Sequence, residues 1–261
     1  MVLIVVDTGS RAKGYAIESS DLDLKVYKKC SREHFELYID NRQILKNVHK
    51  RVELCNVVDT HIDTLCDVVY IDLYVGMIGI VTGKNPELGV FLKETDIKKV
   101  NDDVNSTQQL YEYIKRLTQL SLCAIVTTMM KYAILPTSKT LLQLMFNYVY
   151  TEYYLKFGKA PKSTRILNIV YELDNDDDDN DVSQITPTMY QQKVHDMYLK
   201  LMKVRRGEAC KDDNVIEFFE QWKSDILKRL KCTCNEKQQA TLRHSVVMYA
   251  MCLTKPVLEL L

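Results

Sequence analysis

The sequence predicts an α+β fold, in which an N-terminal α/β module is followed by a C-terminal helical bundle. Short β-branched and apolar runs, typical of strands, are confined to the first hundred residues, where seven Gly and Pro residues also mark turns. After residue 105 the apolar residues recur at helical spacing. We therefore expect two domains, formed by residues 1–104 and residues 105–261.

Five runs in the N-terminal module have the composition of strands. Residues 2–6 form a continuous apolar run, as in a buried strand. Acidic or basic residues alternate with apolar ones over residues 22–27. The remaining candidate strands are residues 35–39, 52–58 and 67–73.

The helical part is expected to begin near Ser106, because Ser106 and Gln109 have the spacing of a capping box. The next helix covers residues 141–157 and ends near Gly158, a typical C-terminal residue. Residues 166–173 fit either a strand or a helix. Further helices are predicted over residues 187–206, 215–230 and 238–253.

Composition indicates a folded chain, since 46% of its 261 residues are hydrophobic. The 35 basic and 35 acidic residues cancel, but six aspartates lie within residues 173–182, so the rest of the chain carries a net charge of +6. We expect a solvated acidic insert near residues 174–183 in a modestly basic body.

Neither a targeting segment nor a membrane span is expected. Residues 1–6 are too short for a signal peptide, and Lys131 interrupts the longest apolar run, residues 120–135. Eight cysteines are scattered through apolar segments, which is typical of reduced thiols. We therefore expect an intracellular, cytoplasmic protein with no membrane partner.

One segment carries a pattern with a chemical rationale. Gly9-Ser10 follows a strand, and Asp21-Leu22-Asp23 begins the next one. Because side chains alternate along a strand, both aspartates are expected on one face, where two carboxylates can bind Mg²⁺ and, through it, phosphates. Gly9 permits close approach of a phosphate to the backbone, and the Ser10 hydroxyl can donate to phosphate oxygens.

This segment resembles the signature of the DNA polymerase β-type nucleotidyltransferase superfamily. Two further stretches are similar to the stand-alone predicted nucleotidyltransferases, also called the RNA-repair-pathway polymerase β family. They are residues 67–73, which precede Gly83-Lys84-Asn85-Pro86, and the basic-Gly-Glu stretch of residues 203–208. One departure is that the glutamate usual after Asn-Pro has an unclear register here, around Glu87.

The resemblance implies a polymerase-β-like mixed sheet with a metal site of three carboxylates. The third carboxylate is expected on a neighbouring strand, and Asp67, flanked by apolar residues, is the preferred candidate. Asp72, which could instead cap a helix, and Glu53 are the alternatives. The residues implied to contact the nucleotide are Gly9, Ser10, Arg11 and Lys25.

By resemblance, the chain would transfer a nucleoside monophosphate from a nucleoside triphosphate to an acceptor hydroxyl, with Mg²⁺ or Mn²⁺ held by Asp21, Asp23 and Asp67. The acceptor would be a nucleic-acid 3′ end, RNA or DNA, or a protein side chain. The alternative is a catalytically silent nucleotidyltransferase-like module that binds a nucleotide or a protein.

Two clusters have both structural and functional interpretations. The sequence Arg205-Arg206-Gly207 is typical of a helix C-terminus but also belongs to the basic-Gly-Glu stretch. Four tyrosines at helical positions could stack on bases, although core packing is the preferred interpretation. They are Tyr148, Tyr150, Tyr153 and Tyr154.

Overall fold

A computed structural model describes residues 3–28, 48–53, 65–99, 104–173, 189–208 and 214–230, together with Thr241 and Val246. The chain forms two compact units. The first comprises Met1–Gly9, Asp21–Ile125 and Thr233–Leu261, and the second comprises Ser10–Ser20 and Val126–Cys232. The expected domain division after residue 104 stays a prediction.

The first unit contains a mixed five-stranded sheet, which confirms the expected α+β class. Its strand order is β3-β4-β2-β1-β5. The pair β2–β4 is parallel, and the other three pairs are antiparallel. The strands are β1 (Leu3–Asp7), β2 (Leu22–Lys28), β3 (Val48–Glu53), β4 (Leu65–Asp72) and β5 (Ile97–Lys99).

Strands β1, β2 and β4 form close to where the sequence predicts them. Strand β3 shares only residues 52–53 with the predicted run 52–58. The other residues of that run, and the candidate strand 35–39, lie outside the described residues. Strand β5 was not expected, because a three-residue segment with two lysines has no strand signature.

Two short helices pack on the first unit's sheet. Helix α2 (Leu73–Thr82) follows β4 directly, and helix α3 (Glu87–Phe91) follows the Gly83–Pro86 turn. A β-carbon on Gly76 would lie 2.7 Å from ring atoms of Tyr27 and 3.1 Å from Leu88. The glycine therefore lets α2 approach the sheet face that carries Tyr27.

Helix α4 (Val104–Met129) begins earlier than predicted. Because it starts two residues before Ser106, that serine lies inside the helix and the predicted capping box is wrong. The expected apolar face is confirmed, since Leu110, Ile114 and Leu117 are buried.

The second unit is helical. The predicted helix at residues 141–157 is confirmed and ends at Gly158, whose φ is +65°. Residues 166–172, ambiguous in the sequence, are helical. The helices of this unit are α1 (Ser10–Lys13), α5 (Ser138–Phe157), α6 (Ile166–Glu172), α7 (Met189–Arg205) and α8 (Asn214–Arg229).

The tyrosines of α5 belong to the core rather than to a stacking surface. Tyr148, Tyr150 and Tyr153 are buried. The Tyr148 ring lies 5.8 Å from that of Phe219 and 5.3 Å from that of Trp222. The core-packing interpretation is therefore confirmed for these three residues.

Two predicted features lie largely outside the described residues. The acidic insert near 174–183 is one of them. The helix predicted at 238–253 is the other, although Thr241 and Val246 are helical. None of the described helices is long and apolar enough to cross a membrane.

Candidate functional site

The turn after β1 is tied to the start of β2. The Thr8 amide donates to the main-chain oxygen of Asp23 at 3.0 Å. The Asp7 carboxylate accepts a hydrogen bond of 3.1 Å from the Gly9 amide. These two bonds fix the backbone that carries Gly9 beside Asp23.

Gly9 lies in direct contact with the Asp23 side chain. A β-carbon on Gly9 would lie 2.8 Å from the Cβ and 2.9 Å from the Cγ of Asp23, and still nearer to its Oδ2. Real β-carbons do not approach other atoms this closely, so only glycine fits here without a shift of Asp23. The sequence assigned Gly9 to phosphate approach, which stays a prediction, whereas the structure gives it a role in seating a carboxylate.

Asp23 and Asp67 are aligned across the parallel strand pair. They are Cα partners in the β2–β4 register. Neighbouring strands lie about 4.8 Å apart, and paired side chains emerge on the same face. Asp23 is half-buried and Asp67 is exposed. Two of the three predicted metal ligands therefore come from adjacent strands at one level of the sheet.

The third predicted ligand is placed differently. Asp21 is exposed and immediately precedes β2, which begins at Leu22. It is therefore outside the strand pairing that aligns Asp23 with Asp67. The strand register fixes the position of Asp23 relative to Asp67, but it does not fix the position of Asp21.

The two alternative carboxylates have other positions. Asp72 is the N-cap of α2, and its Oδ1 accepts hydrogen bonds from the amides of Tyr74 at 2.8 Å and Val75 at 3.4 Å. Its odd separation from Asp67 on β4 assigns the two side chains to opposite faces. Glu53 ends β3 and is paired with Leu65.

Lys25 lies on the same face of β2 as Asp23, two residues further along. Its Nζ is 2.7 Å from Oε1 of Glu87, the first residue of α3. The other Glu87 oxygen, Oε2, is buried without a hydrogen-bond partner among the described residues. Burial raises the pKa of Tyr27, and the nearby Glu87 carboxylate raises it further. Glu87, which directly follows Asn85-Pro86, therefore faces the sheet.

In the second unit, Ser10–Ser20 forms a loop that is anchored to the helices. We call it the Ser10–Ser20 loop. The hydroxyl of Thr164 donates to the Ala12 oxygen at 3.0 Å, and the Tyr198 hydroxyl donates to the Gly14 oxygen. The Tyr15 hydroxyl donates to Oε1 of Gln143 at 3.1 Å. Two helices, α5 and α7, and the connection between α5 and α6 therefore hold the loop that begins with the predicted nucleotide-binding residues Ser10 and Arg11.

Arginines approach both the middle and the end of this loop. Nη2 of Arg11 donates to the Ser20 oxygen at 3.0 Å, and Nη2 of Arg205 donates to the Ser20 hydroxyl at 3.2 Å. The Arg205 guanidinium also lies over the Tyr15 ring, 5.5 Å from its centroid. A β-carbon on Gly14 would be 3.3 Å from the Cβ of Arg165.

The helix-end interpretation of the Arg205-Arg206-Gly207 stretch is confirmed, and the functional one stays a prediction. Gly207 has a φ of +77°, and its amide donates to the Val204 oxygen at 3.1 Å, as expected after a helix C-terminus. Arg205, however, also contacts the Ser10–Ser20 loop. The sequence did not indicate the roles of Arg165, Tyr198 and Thr164, because no local pattern marks contacts so distant along the chain.

The carboxylates do not form a closed cluster of three. Among the described residues, no group of three or more His, Cys, Asp and Glu side chains is arranged to hold a metal ion. The donor chemistry nevertheless suits Mg²⁺, which is commonly held by one or two carboxylates together with substrate phosphates and waters. Asp23 and Asp67 supply such a pair.

The chain is similar to a viral protein. It is 41% identical, over 283 aligned positions, to the Protein Early 65 kDa of Autographa californica nuclear polyhedrosis virus. The alignment covers 99% of this chain and 48% of that protein, so the chain spans about half the length of this relative. No family model matches the chain, and no solved structure matches it.

Proposed function

We propose that the chain is a metal-dependent nucleotidyltransferase that transfers a nucleoside monophosphate from a nucleoside triphosphate to an acceptor hydroxyl. The observation that carries this proposal is the alignment of Asp23 with Asp67 across β2 and β4, with Gly9 packed against Asp23. The strand pairing supports it further, because β2 pairs antiparallel with β1 and parallel with β4, and the Gly9-Ser10 turn precedes the strand that carries Asp23.

Asp23 and Asp67 would hold Mg²⁺ or Mn²⁺, with Asp21 joining when substrate phosphates are present. The ion would neutralise charge on the triphosphate and lower the pKa of the acceptor hydroxyl. Gly9 keeps the Asp23 carboxylate in place, and the strand register keeps Asp67 level with it. Because both carboxylates are set by backbone pairing, the site needs little rearrangement to bind.

The remaining predicted residues would bind the nucleotide. Ser10 can donate its hydroxyl, and Arg11 its guanidinium, to phosphate oxygens. Lys25 projects from the carboxylate face of β2, where Glu87 orients its ammonium group. In this proposal Glu87 is a positioning residue, because it acts through Lys25.

A second candidate function is a catalytically silent module that binds a nucleotide or a protein. It is favoured by the position of Asp21, which is exposed and outside β2. A site with two fixed carboxylates suffices to bind a metal-triphosphate complex. Turnover through a second ion would additionally require Asp21 to be held near the pair.

Transfer from labelled nucleoside triphosphates in the presence of Mg²⁺ or Mn²⁺ tests the proposal. The acceptors offered are single-stranded RNA, single-stranded DNA and a protein mixture. Asp67→Asn and Asp72→Asn are a matched pair, because each removes one carboxylate charge from β4. Asn is also a favourable N-cap residue, so Asp72→Asn should keep the cap of α2. We expect Asp67→Asn to reduce transfer at least ~100-fold, as for loss of a metal ligand, and Asp72→Asn to retain it.

The outcomes separate the two candidates. Two results together would establish the silent module. The first is metal-dependent triphosphate binding without transfer to any acceptor. The second is that the Asp21→Asn/Asp23→Asn variant retains a protein partner of the wild-type chain. Absence of both transfer and metal-dependent triphosphate binding would overturn the enzyme and the nucleotide-binding form of the silent module. Equal losses in the Asp67 and Asp72 variants would reject Asp67 as the specific ligand.

A further inference from the structure

We propose that four arginines of the second unit form a binding surface for the phosphodiester backbone of a single-stranded nucleic acid. This arginine surface consists of Arg11, Arg165, Arg205 and Arg206. Its role in presenting an acceptor strand rests on the proposed function, whereas strand binding itself does not.

Arg11 lies within the Ser10–Ser20 loop, Arg165 and Arg205 contact it, and Arg206 follows Arg205 in the chain. Arg11 and Arg205 both donate to Ser20, and Arg165 packs against Gly14. Burial raises the pKa of Tyr198, and the Arg206 and Arg165 guanidinium groups oppose that rise by favouring the phenolate. The geometric link for Arg206 is its position directly after Arg205, on the helical turn that its amide closes with the Met202 oxygen at 3.0 Å.

No carboxylate forms an ion pair with an arginine of this surface within the part of the chain that the structure describes. Ion pairs seen elsewhere in that part include Lys25–Glu87 and Arg229–Glu152. Arg11, Arg165 and Arg206 are exposed. The Nε of Arg205 is buried without an acceptor among the described residues, an arrangement that folded proteins usually avoid.

Phosphate is the anion that this chemistry favours. Arginine binds phosphate with a planar set of donors, and uncompensated arginines attract polyanions. Arg165 packs its side-chain carbons against Gly14, whereas Arg11 and Arg205 donate at Ser20, so the arginines contact two parts of the loop. A strand offers successive phosphates to a distributed surface, whereas a triphosphate is one compact anion.

In the sequence, the loop of this surface lies between the two parts of the proposed motif. Gly9 precedes the loop, and Asp21 follows it. A strand bound along the arginine surface would therefore contact the segment that joins the two parts of the proposed motif. The surface favours a nucleic-acid 3′ end over a protein side chain as the acceptor.

The test is binding of fluorescein-labelled oligouridylate to the full chain, followed by fluorescence anisotropy over a range of salt concentrations in EDTA. Arg165→Gln/Arg206→Gln removes two exposed charges whose side chains make no hydrogen bond that holds the loop. Lys131→Gln/Lys139→Gln removes two exposed charges elsewhere in the same unit, neither of them in an ion pair with a described residue, and is the matched control. We expect the arginine variant to bind at least ~10-fold more weakly and to lower the slope of log K against log salt by about 1.4, while the control changes neither.

The inference would be overturned if both variants bound the strand as tightly as the wild-type chain, or if both lost strand affinity equally. It would also be overturned if the wild-type chain did not bind the strand. An arginine variant that binds the strand normally but loses binding of a fluorescent triphosphate would overturn it as well. Arg206→Gln alone, which removes one charge at an exposed position, tests the slope if the double variant is unstable, with an expected decrease of about 0.7.

The failure of this inference is distinguishable from failure of the proposed function. Asp21→Asn/Asp23→Asn should bind the strand in EDTA at least as well as the wild type, because no metal is involved. Strand binding through the arginine surface without nucleotidyl transfer would reject the enzyme and retain the surface. Nucleotidyl transfer without arginine-dependent strand binding would reject the surface and retain the enzyme.

Discussion

The Asp23 carboxyl group occupies the space into which a β-carbon on Gly9 would project. The nearest side-chain carbons of Asp23 would be only 2.8 Å and 2.9 Å from such an atom. Because Asp23 is also aligned with Asp67 by the strand register, its side chain is restrained from two directions. The glycine is therefore a structural requirement of the carboxylate site, whatever ligand the site binds.

We expect Gly9→Ala to lower the free energy of unfolding by about 1 to 3 kcal/mol, the usual cost of overpacking. The Asp23→Ala background removes the carboxyl group and leaves only the Cβ contact at 2.8 Å, so Gly9→Ala should cost less there. Urea unfolding of the wild type, both single variants and the double variant measures this coupling. An identical cost of Gly9→Ala in the two backgrounds would show that the carboxyl contact is unimportant.

The Lys25–Glu87 ion pair should show a measurable coupling energy. Its side chains are only 20% and 27% exposed, so solvent screens the 2.7 Å contact less than at a fully exposed site. We expect Lys25→Met and Glu87→Gln to be less destabilising together than the sum of the single changes, by about 1 to 3 kcal/mol. Additive effects in a double-mutant cycle measured by urea unfolding would contradict a coupled pair.

Gly83 and Gly158 offer a matched comparison. Both follow a helix in the left-handed conformation, with φ values of +68° and +65°. A β-carbon on Gly83 would lie 2.6 Å from the carbonyl carbon of Ala124 and 2.9 Å from the amide nitrogen of Ile125, whereas one on Gly158 would meet nothing within 4 Å. Gly158→Ala should cost about 1 kcal/mol for the backbone conformation alone.

Gly83→Ala should cost about 3 kcal/mol, because the clash with backbone atoms adds to the same conformational term. Urea unfolding followed by circular dichroism measures both variants. Similar losses for the two would mean that α4 shifts freely away from Gly83.

Local patterns predicted much of this fold because they act over a few residues. The alternation of Asp and Leu identified β2, and Gly158 identified the end of α5. Asp72 was recognised as a potential cap because its position follows strand-like residues, and its side chain does cap α2. The capping box at Ser106 failed because a similar four-residue pattern is compatible with a helix interior.

Interactions between distant segments were beyond such patterns. The alignment of Asp23 with Asp67 follows from a parallel pairing that no local signal specifies, although Asp67 itself was the preferred third ligand. The hydrogen bond from Tyr198 to Gly14 joins residues 184 positions apart. Likewise, only the fold brings Glu87 to Lys25 and Arg165 to Gly14.

The buried hydroxyl of Tyr148 should make this residue a site of stabilising substitution. Its ring packs against Phe219 and Trp222, but its hydroxyl has no hydrogen-bond partner among the described residues. Tyr148→Phe keeps the ring contacts and removes the unsatisfied group, so it should raise the free energy of unfolding by about 1 kcal/mol. Tyr15→Phe is the control, because it removes a formed bond to Gln143 and should lower that free energy by a similar amount.

The same substitution should change the alkaline stability of the protein. Burial raises the pKa of Tyr148 from 10.0 to about 12, so the folded chain retains the phenolic proton more strongly than the unfolded chain. This contribution to stability is complete below pH 10 and is lost as the pH rises towards about 12. Urea unfolding at neutral pH and at alkaline pH should therefore show a smaller decrease for Tyr148→Phe than for the wild type. Parallel decreases in the two proteins would exclude Tyr148 as a source of the alkaline destabilisation.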